Sequence, residues 1–410
     1  MRRGASRGNE SASTSILFSS PLRLHNIVQI YLVGGALRNM LLGIPEHDRD
    51  FTWFGDEAAL TALLPEARRV GKCFPIFLHH GREYAPGRGP DIQADLAARD
   101  LTINAIALAL HGEHAGRLHL HPLAAHDLRH GWLRPASATA LLDDPLRVFR
   151  LARFAAQLPD FRLHFSALAA MKEVARKGLL DGLDAERVGA EVLKAMAAPR
   201  PGRFLEVLDL GDCLAPWLAP LDRAAVIPAG PAAYHGANSV LTHTVNVMNG
   251  VQAAGGDALA VWLALCHDLG KCVSPVLRLP RHHSHEIHGA PLARALAERL
   301  RLSTRHLKAA ESASLHHMKL GGYAQLRPGT RVDLLIALHP LRLLDPMLLL
   351  AQADRAQVGL GDSYADAMHR IREDMRRVLA VQLPASLRNK GPLSGRKLRE
   401  LRCLAIARAE

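Results

Sequence analysis

The chain has 410 residues and a formal net charge of +12, with 49% hydrophobic and only 5% aromatic residues. This length predicts two to four structural units, and the composition favours helices over β-sandwiches. The basic excess favours a polyanionic partner, most simply a nucleic acid, although a GC-rich genome that uses Arg in place of Lys would give the same charge.

The five cysteines are scattered along the chain and form no Cys-x-x-Cys pair. This spacing argues against a disulfide framework and a zinc ribbon, and it predicts a reducing, cytoplasmic location. No apolar run reaches the length that a membrane span needs, so we expect no membrane partner.

The N-terminal part of the chain divides into two predicted units. Residues 1–27 are rich in Ser and Arg, which predicts a disordered extension. From residue 28 to 140, apolar runs such as IVQIYLVGG alternate with short helical patterns such as ALRNMLLG. This alternation predicts a head domain that contains both strands and helices.

The remainder of the chain has a helical pattern. Residues 141–228 contain successive amphipathic segments with short connections and predict a helical neck and body. A stretch rich in Pro, Gly and Ala at 222–238 is expected to be a linker. A second all-α block is predicted over 229–360, followed by a basic tail over 361–410.

Two acidic residues in the segment HDRDF are candidates for a metal site. Asp48 and Asp50 are two residues apart, and such residues point to the same side of a strand. Paired carboxylates are ligands that Mg²⁺ prefers, and Mg²⁺ in turn holds nucleotide phosphates. Glu83 in the segment REYA is the candidate for a third acid, with a solvated strand residue as the alternative.

A glycine turn precedes these acids in the segment VGGALR. Gly34 and Gly35 end a predicted strand and begin a predicted helix. Backbone N–H groups at such a position bind phosphate, because glycine has no side chain to block the approach. Arg38 lies one turn further along the helix, where it can reach the same phosphates.

A second group of polar residues lies in the C-terminal helical block. His267 and Asp268 are adjacent in LALCHDLGK, with His243 earlier and Asp354 later in the chain. Imidazole and carboxylate ligands suit Mg, Mn, Ni or Co, with water as the hydrolytic nucleophile. Adjacent residues point apart on a regular helix, so a shared role for His267 and Asp268 predicts a distorted helix end, which Gly270 could supply.

Four separated segments together resemble the class II CCA-adding tRNA nucleotidyltransferases. These segments are YLVGGALRNMLLGIPEHDRDF, RDLTINAIA, DDPLRVFRLARF and ERVGAEVLKAM, in this order. The resemblance implies an α+β fold, with a polymerase-β-like head followed by an all-α neck and body. It also implies addition of C, C and A to tRNA 3′ ends from CTP and ATP, with Mg²⁺ and without a nucleic-acid template.

The resemblance assigns roles to individual residues of the head and neck. It gives Gly35 and Arg38 the triphosphate, Asp48 and Asp50 the Mg²⁺, and Arg99 and Asp100 a place near the ribose. In DDPLRVFRLARF, an Asp accepts from an exocyclic amine while an Arg donates to ring acceptors, which distinguishes C and A from U and G. The residues implied for base reading and further nucleotide contacts are Asp144, Arg147, Arg150 and Arg153.

The C-terminal block resembles the HD phosphohydrolase domain that the bacterial multifunctional type of this family carries. His243, His267, Asp268, His285 and Asp354 match its metal-binding pattern, with His316 as a looser match. The resemblance implies 2′,3′-cyclic phosphodiesterase, 2′-nucleotidase and phosphatase activities that use a divalent metal such as Ni²⁺, Mn²⁺ or Mg²⁺. We expect a monomer or a homodimer.

Three departures from the family pattern leave alternatives open. Asn39 replaces an Asp, Ala98 replaces an Arg, and only the short stretch 86–97 occupies the place of a longer flexible loop. That loop is tied to the switch from C to A addition, so an enzyme that adds only CC is one alternative. A tRNA-binding HD phosphohydrolase with a decayed transferase head is another, and a basic RNA chaperone or a poly(A)-adding relative are the others.

Overall fold

The computed structural model describes residues 28–45, 49–71, 75–361 and 364–407. The predicted extension over 1–27 therefore lies outside the described residues. Seven strands form the sheet of the head: β1 (Gln29–Val33), β2 (Asp50–Phe54), β3 (Arg68–Val70), β4 (Ile76–His79), β5 (Arg82–Pro86), β6 (Ile106–His111) and β7 (Leu118–Leu120). Four helices accompany them: α1 (Gly35–Leu42), α2 (Glu57–Leu63), α3 (Ile92–Ala97) and α4 (Ala124–His130).

The strands are ordered β3-β4-β5-β2-β1-β6-β7 in a mixed sheet. Strands β2 and β5 pair in parallel, and the other neighbours are antiparallel. Separate apolar clusters cover the two faces, one around Trp53 and Leu60 and the other around Tyr31 and Leu96. Strand β3 was not predicted, because its three residues are all exposed and carry no apolar pattern.

The rest of the described chain is almost entirely helical. A short parallel pair, β8 (Trp132–Leu133) with β9 (Arg162–Leu163), joins the head to it. The neck and body helices are α5 (Ala140–Asp143), α6 (Arg147–Gln157), α7 (Phe165–Arg176), α8 (Ala185–Met196) and α9 (Gly202–Leu210). The later helices are α10 (Ala232–His235), α11 (Val240–Ala253), α12 (Ala258–Cys266), α13 (His285–Arg299), α14 (Thr304–Gly321), α15 (Pro328–Leu338), α16 (Leu344–Ala356), α17 (Tyr364–Ala380) and α18 (Pro392–Ala407). The predicted α+β class, with an all-α neck and body and an all-α C-terminal block, is confirmed.

One continuous apolar core joins these helices, from Leu101 to Ile406. Two glycines allow the backbone of the body helices to contact the backbone of the later part of the chain directly. A Cβ at Gly189 of α8 would lie 2.2 Å from the carbonyl oxygen of Leu300, and one at Gly202 of α9 would lie 2.7 Å from that of Val245. The core therefore crosses the predicted unit boundaries at 228 and 360, which stay predictions.

The stretch 222–238, expected to be a linker, is packed structure. A backbone bridge pairs Pro228 with Ser239, and helix α10 brings the His235 ring to 5.3 Å from the ring of His243, edge to face. Its Pro- and Gly-rich composition excludes a periodic pattern, but it does not exclude side-chain contacts. Within the described residues no single helix is long and apolar enough to cross a membrane, although one sharply bent pair, Pro328–Leu341 with Leu344–Ala356, meets those criteria.

Candidate active sites in the head and the helical block

The end of the sheet formed by β1, β2 and β5 opens into a cavity of about 910 Å³. Helix α6 of the neck closes its far side. The cavity wall contains most of the head and neck residues predicted from the sequence, namely Gly34, Gly35, Arg38, Asp50, Glu83, Arg99, Asp100, Asp144, Arg147, Arg150 and Arg153. Asp48 lies outside the described residues.

Two carboxylates lie side by side at the mouth of this cavity. Asp50 is the first residue of β2 and is in parallel register with Glu83 of β5. Paired residues on neighbouring strands point to the same face of a sheet, so the two carboxylates converge. Both side chains are exposed. Two adjacent carboxylates facing a cationic cavity fit a divalent cation, and this metal role stays a prediction.

The glycine turn places backbone N–H groups at the same end of the sheet. Gly34 has a φ of +77° and donates its N–H to the carbonyl oxygen of Ile106 at 3.0 Å. The Nη1 atom of Arg99 lies 3.1 Å from the position that a Cβ of residue 34 would take. Both the left-handed backbone and this contact require glycine. Arg99 is held there by Asp95, whose Oδ2 accepts from Nε and Nη2 at 2.9 and 2.8 Å.

Arg38 is a buried guanidinium in the wall of the cavity. Its Nε and Nη2 donate to Oδ1 of Asn39 at 3.1 and 2.8 Å, and its guanidinium lies 5.0 Å above the Phe154 ring. Burial lowers the pKa of Arg38 to about 10, and the charges of Arg153 and Arg150 oppose the rise that Asp100 causes. The neutral Asn39 amide therefore orients this cation without neutralising it.

Asp100 fixes the neck against the head. Its carboxylate is buried and accepts from Nε and Nη2 of Arg150 at 2.9 and 2.6 Å, from Nδ2 of Asn104 at 3.0 Å and from the Leu101 N–H. Burial would raise the pKa of Asp100, but the charge of Arg150 and these hydrogen bonds lower it to about 2. Asp100 is therefore ionised at neutral pH and binds helix α6 through a charge-assisted pair.

Arg147 is also occupied by contacts within the chain. It donates to the carbonyl oxygens of Ala98 at 2.8 Å, Arg99 at 3.3 Å and Ala140 at 3.1 Å. The nearest Asp144 oxygen lies 3.9 Å from its Nε and 3.6 Å from Nη2 of Arg187. Base reading by Asp144 and Arg147 stays a prediction, and in this conformation it requires Arg147 to exchange backbone acceptors for the base.

Two buried residues of this site were missed in the sequence. Asn104 accepts from Arg38 and donates to Asp100, so it connects Arg38 to the carboxylate that pairs with the neck. Glu191 of α8 accepts from Nε of Arg153 and lies 3.9 Å from Nη1 of Arg150. Both occur in segments that carry the family resemblance, but an isolated Asn or Glu in such a segment does not indicate its partner.

The second site lies in the helical block, where several elements direct imidazoles at one carboxylate. Asp268 Oδ2 lies 3.1 Å from Nε2 of His243 and 3.1 Å from Nε2 of His267. Its Oδ1 lies 3.2 Å from Nε2 of His285 and 3.4 Å from Nε2 of His317. Two groups of metal-type ligands thus share Asp268, one with His243 and His267 and the other with His285 and His317.

Asp354 and Lys271 complete this cluster. Asp354 of α16 places Oδ1 3.2 Å from Nε2 of His243, and Lys271 places Nζ 2.7 Å from Asp268. Burial opposes protonation of His243, but Asp268 and Asp354 raise its pKa to about 9. The charges of His267 and Lys271 hold the pKa of Asp268 well below its usual value, although burial acts in the opposite direction.

The end of α12 explains how adjacent residues reach one site. The helix ends at Cys266, His267 keeps a helical backbone, and Asp268 leaves the helix with φ −111° and ψ 14°. The predicted distortion is therefore present, but Gly270 has a different role. A Cβ there would lie 1.9 Å from the carbonyl oxygen of His285, so Gly270 allows that ligand to approach.

Backbone carbonyls fix the orientation of three of the imidazoles. The Nδ1 atoms of His267, His285 and His317 lie 2.7 to 2.8 Å from the carbonyl oxygens of Ala264, His282 and Ser314. Each Nδ1 must carry the proton to donate there, which leaves the Nε2 lone pair directed at the cluster. Among the described residues the buried Oδ1 of Asp268 has no hydrogen-bond partner, so the donor set fits divalent cations.

His316, the looser match from the sequence, does not join the cluster. Adjacent residues on α14 point about 100° apart, and it is His317 that faces Asp268. The Nδ1 of His316 is buried without a hydrogen-bond partner in the described part of the chain, and burial lowers its pKa to about 4. The sequence HH gave no means of choosing between the two.

We expect His317→Ala to lower phosphate-ester hydrolysis about a hundredfold or more, because it removes an imidazole that faces Asp268. His316→Ala is the matched control, one residue away on the same helix, and it should change the rate less than about twofold. Hydrolysis of 2′,3′-cyclic AMP and metal content after dialysis measure the two effects. Equal losses in both variants would contradict the assignment.

Comparisons with known proteins identify the family of the chain. Residues 240–357 match the HD domain family model. The chain is 34% identical to the multifunctional CCA protein of Verminephrobacter eiseniae over 93% of this chain and 98% of that protein. It is 36% identical to that of Alkalilimnicola ehrlichii, over 86% and 90% of the two chains.

Solved structures share the fold at lower identity. The structure of a CCA-adding enzyme with CTP gives a TM-score of 0.61 at 18% identity and covers 92% of this chain and 87% of that chain. The Thermotoga maritima CCA-adding enzyme complexed with tRNA gives 0.59 at 18% identity, with 93% and 92% covered. A mixed-sheet head joined to an HD domain places the chain among nucleotidyltransferases that carry an HD domain. The chain belongs to the multifunctional CCA protein family, and the predicted resemblance is confirmed. Enzymes of this kind depend on divalent metal ions.

Proposed function

We propose that the head adds C, C and A to the 3′ end of tRNA from CTP and ATP, and that the HD centre hydrolyses phosphate esters at RNA ends. One observation carries the first part: a single cavity brings Asp50 and Glu83 against the Gly34–Gly35 turn and the arginines of α6. Relatives that cover nearly the whole chain are multifunctional CCA proteins. A monomer or homodimer in the cytoplasm, with unit boundaries near 140, 228 and 360, is part of the same proposal.

In the head, Asp50, Glu83 and the predicted Asp48 would hold Mg²⁺. The ion supplies charge neutralisation at the triphosphate and lowers the pKa of the attacking 3′-hydroxyl. The backbone N–H of Gly35 binds phosphate oxygens, while that of Gly34 is held by the carbonyl oxygen of Ile106 and fixes the turn, and Arg38 adds a fixed positive charge beside them. The ion pair between Asp100 of the head and Arg150 of the neck fixes helix α6, which would face the base, relative to the triphosphate site.

In the HD centre, His243, His267, Asp268, His285, His317 and Asp354 would hold divalent metal. Because Asp268 belongs to both ligand groups, the cluster can hold two ions, with Ni²⁺, Mn²⁺ and Mg²⁺ as candidates. Such ions supply a hydrolytic water and charge neutralisation at a phosphate ester. The substrates we propose are 2′,3′-cyclic phosphates, 2′-phosphates and terminal phosphates of RNA.

A specific observation favours CC-only addition as the second candidate. Only residues 87–91 connect β5 to α3, and this connection is packed: a Cβ at Gly87 would lie 2.0 Å from the Phe54 ring. The family resemblance ties a long flexible loop at this position to the switch from C to A addition. The connection over 87–91 is too short to form such a loop.

The 3′ ends that the protein makes distinguish these candidates. We expect sequencing of products from tRNA lacking CCA, tRNA ending in C and tRNA ending in CC to show both C residues and the terminal A. Products that stop at CC on all three substrates would establish CC-only addition. Unchanged 3′ ends, with hydrolysis of 2′,3′-cyclic AMP intact, would instead show that the transferase head has decayed.

A further inference from the structure

A cationic cavity of about 330 Å³ lies beside the HD centre. It is formed mainly by the connection between the turn Leu269–Val273, which follows Asp268, and helix α13, which begins with His285. The connection therefore joins two elements that carry metal-type ligands. Its polar lining consists of Ser274, Arg278, Arg281, His283 and His288.

His282 anchors the connection to the HD centre. Its Nε2 donates to the carbonyl oxygen of Pro228 at 2.8 Å, and its Nδ1 lies 2.8 Å from Oγ of Ser274. The carbonyl oxygen of the same residue accepts from Nδ1 of His285 at 2.8 Å. Arg281 and His283 are the chain neighbours of His282. The hydrogen bond from His285 to His282 therefore links this part of the cavity lining directly to an imidazole of the cluster.

The cavity carries positive charge without a balancing acid. Among the residues that the structure describes, no carboxylate contributes to its lining. Within the described ranges, neither Arg278 nor Arg281 makes an ion pair or a side-chain hydrogen bond, and both are exposed. Exposed guanidinium groups without an acidic partner bind phosphate well, because their N–H groups match its oxygens. The fully exposed Leu277 and the exposed Val276 next to them offer apolar contact to a ribose or base.

We propose that this cavity binds the phosphodiester that precedes the terminal nucleoside of an RNA strand whose terminal phosphate is in the HD centre. The inference rests on the proposed hydrolase function and specifies its substrate class. A mononucleotide has no such phosphodiester, so the cavity makes the HD centre act on RNA ends in preference to free nucleotides. The +12 net charge of the chain supports an RNA strand as the substrate.

The test compares two substrates in the full-length protein. One is 2′,3′-cyclic AMP, and the other is a trinucleotide RNA that ends in a 2′,3′-cyclic phosphate. We expect the double variant Arg278→Ala/Arg281→Ala to lower kcat/KM for the trinucleotide at least tenfold and to leave that for 2′,3′-cyclic AMP within twofold. The salt dependence for the trinucleotide should also become shallower, because fewer cations contact phosphate.

Arg305→Ala/Lys308→Ala is the matched control, since it removes two exposed cations from the start of α14, far along that helix from His317. It should leave the preference for the trinucleotide unchanged. Equal losses on both substrates in the Arg278/Arg281 variant would overturn the proposal, because the connection would then act on the metal cluster itself. No loss on either substrate would overturn it as well.

Hydrogen exchange separates this inference from the hydrolase function. The trinucleotide that ends in a 3′-phosphate should protect the backbone amides of residues 276–284 in the wild type and not in the double variant. If the wild type hydrolyses neither substrate but shows this protection, the hydrolase function fails and the phosphodiester site is supported. Absence of protection in the wild type overturns the phosphodiester site, whether or not hydrolysis occurs.

Discussion

Asp50→Asn should reduce the incorporation of CMP into tRNA that lacks CCA by roughly a thousandfold or more, which corresponds to ~4 kcal/mol of transition-state stabilisation. Asp50 is in register with Glu83 at the mouth of the head cavity. An amide keeps the shape of the side chain but removes one of the charges that we propose hold Mg²⁺. The arginines of the cavity do not replace it, because a positively charged side chain is not a ligand for a metal cation.

Labelled CTP and gel separation of the tRNA products measure this loss. Asp160→Asn is the control, since Asp160 is an exposed acid outside the cavity wall, and it should retain full incorporation. Hydrolysis of 2′,3′-cyclic AMP by the Asp50 variant should equal that of the wild type, which shows that the chain is folded. Incorporation within tenfold of the wild type would remove Asp50 from the metal site.

Asp268→Asn should lower the rate of phosphate-ester hydrolysis by about a thousandfold or more. It should also release metal from both ligand groups. Asp268 is the member that these two groups share, with contacts of 3.1 to 3.4 Å to four imidazoles. Asparagine keeps one oxygen as an acceptor for Lys271, so the buried ammonium is not left without a partner. CCA addition by this variant should be unchanged.

Metal content after dialysis and hydrolysis of 2′,3′-cyclic AMP test this expectation. Asp354→Asn is the informative comparison, because Asp354 contacts His243 and not the His285 and His317 pair. That variant should lose metal from one ligand group and retain the other. Full metal retention by Asp268→Asn, or equal metal loss in both variants, would contradict a shared central carboxylate.

Much of the head site was predictable because its signals are local. A positive-φ glycine between a strand and a helix, followed by closely spaced acids, is a short-range pattern, and parallel pairing places Glu83, the sequence candidate for a third acid, beside Asp50. Asp48, the other predicted acid, lies outside the described residues. In the helical block the order of His243, the HD pair and Asp354 indicated a cluster.

The parts that sequence reasoning missed depend on long-range contacts. Asn104 takes part through Arg38, 66 positions away in the chain, and Glu191 takes part because α8 packs against α6. Arg147 is held by carbonyls of Ala98 and Arg99 that are distant in sequence. His317 was missed for the same reason, because only the rotation angle of α14 about its own axis decides which of two adjacent imidazoles faces Asp268. A sequence pattern reports a residue type and a spacing, but not that angle.

The backbone-distance contacts of Gly189 and Gly202 have an evolutionary consequence. They allow helices of the body to pack closely against Leu300 and Val245 of the C-terminal helical block, inside one apolar core. A chain truncated before that block would expose this core, so we expect a simple deletion of the block to destabilise the helices of the body. A lineage that no longer needs the hydrolase is therefore expected to lose it by point substitution of ligands such as Asp268, while the helices around them persist as scaffold for the transferase.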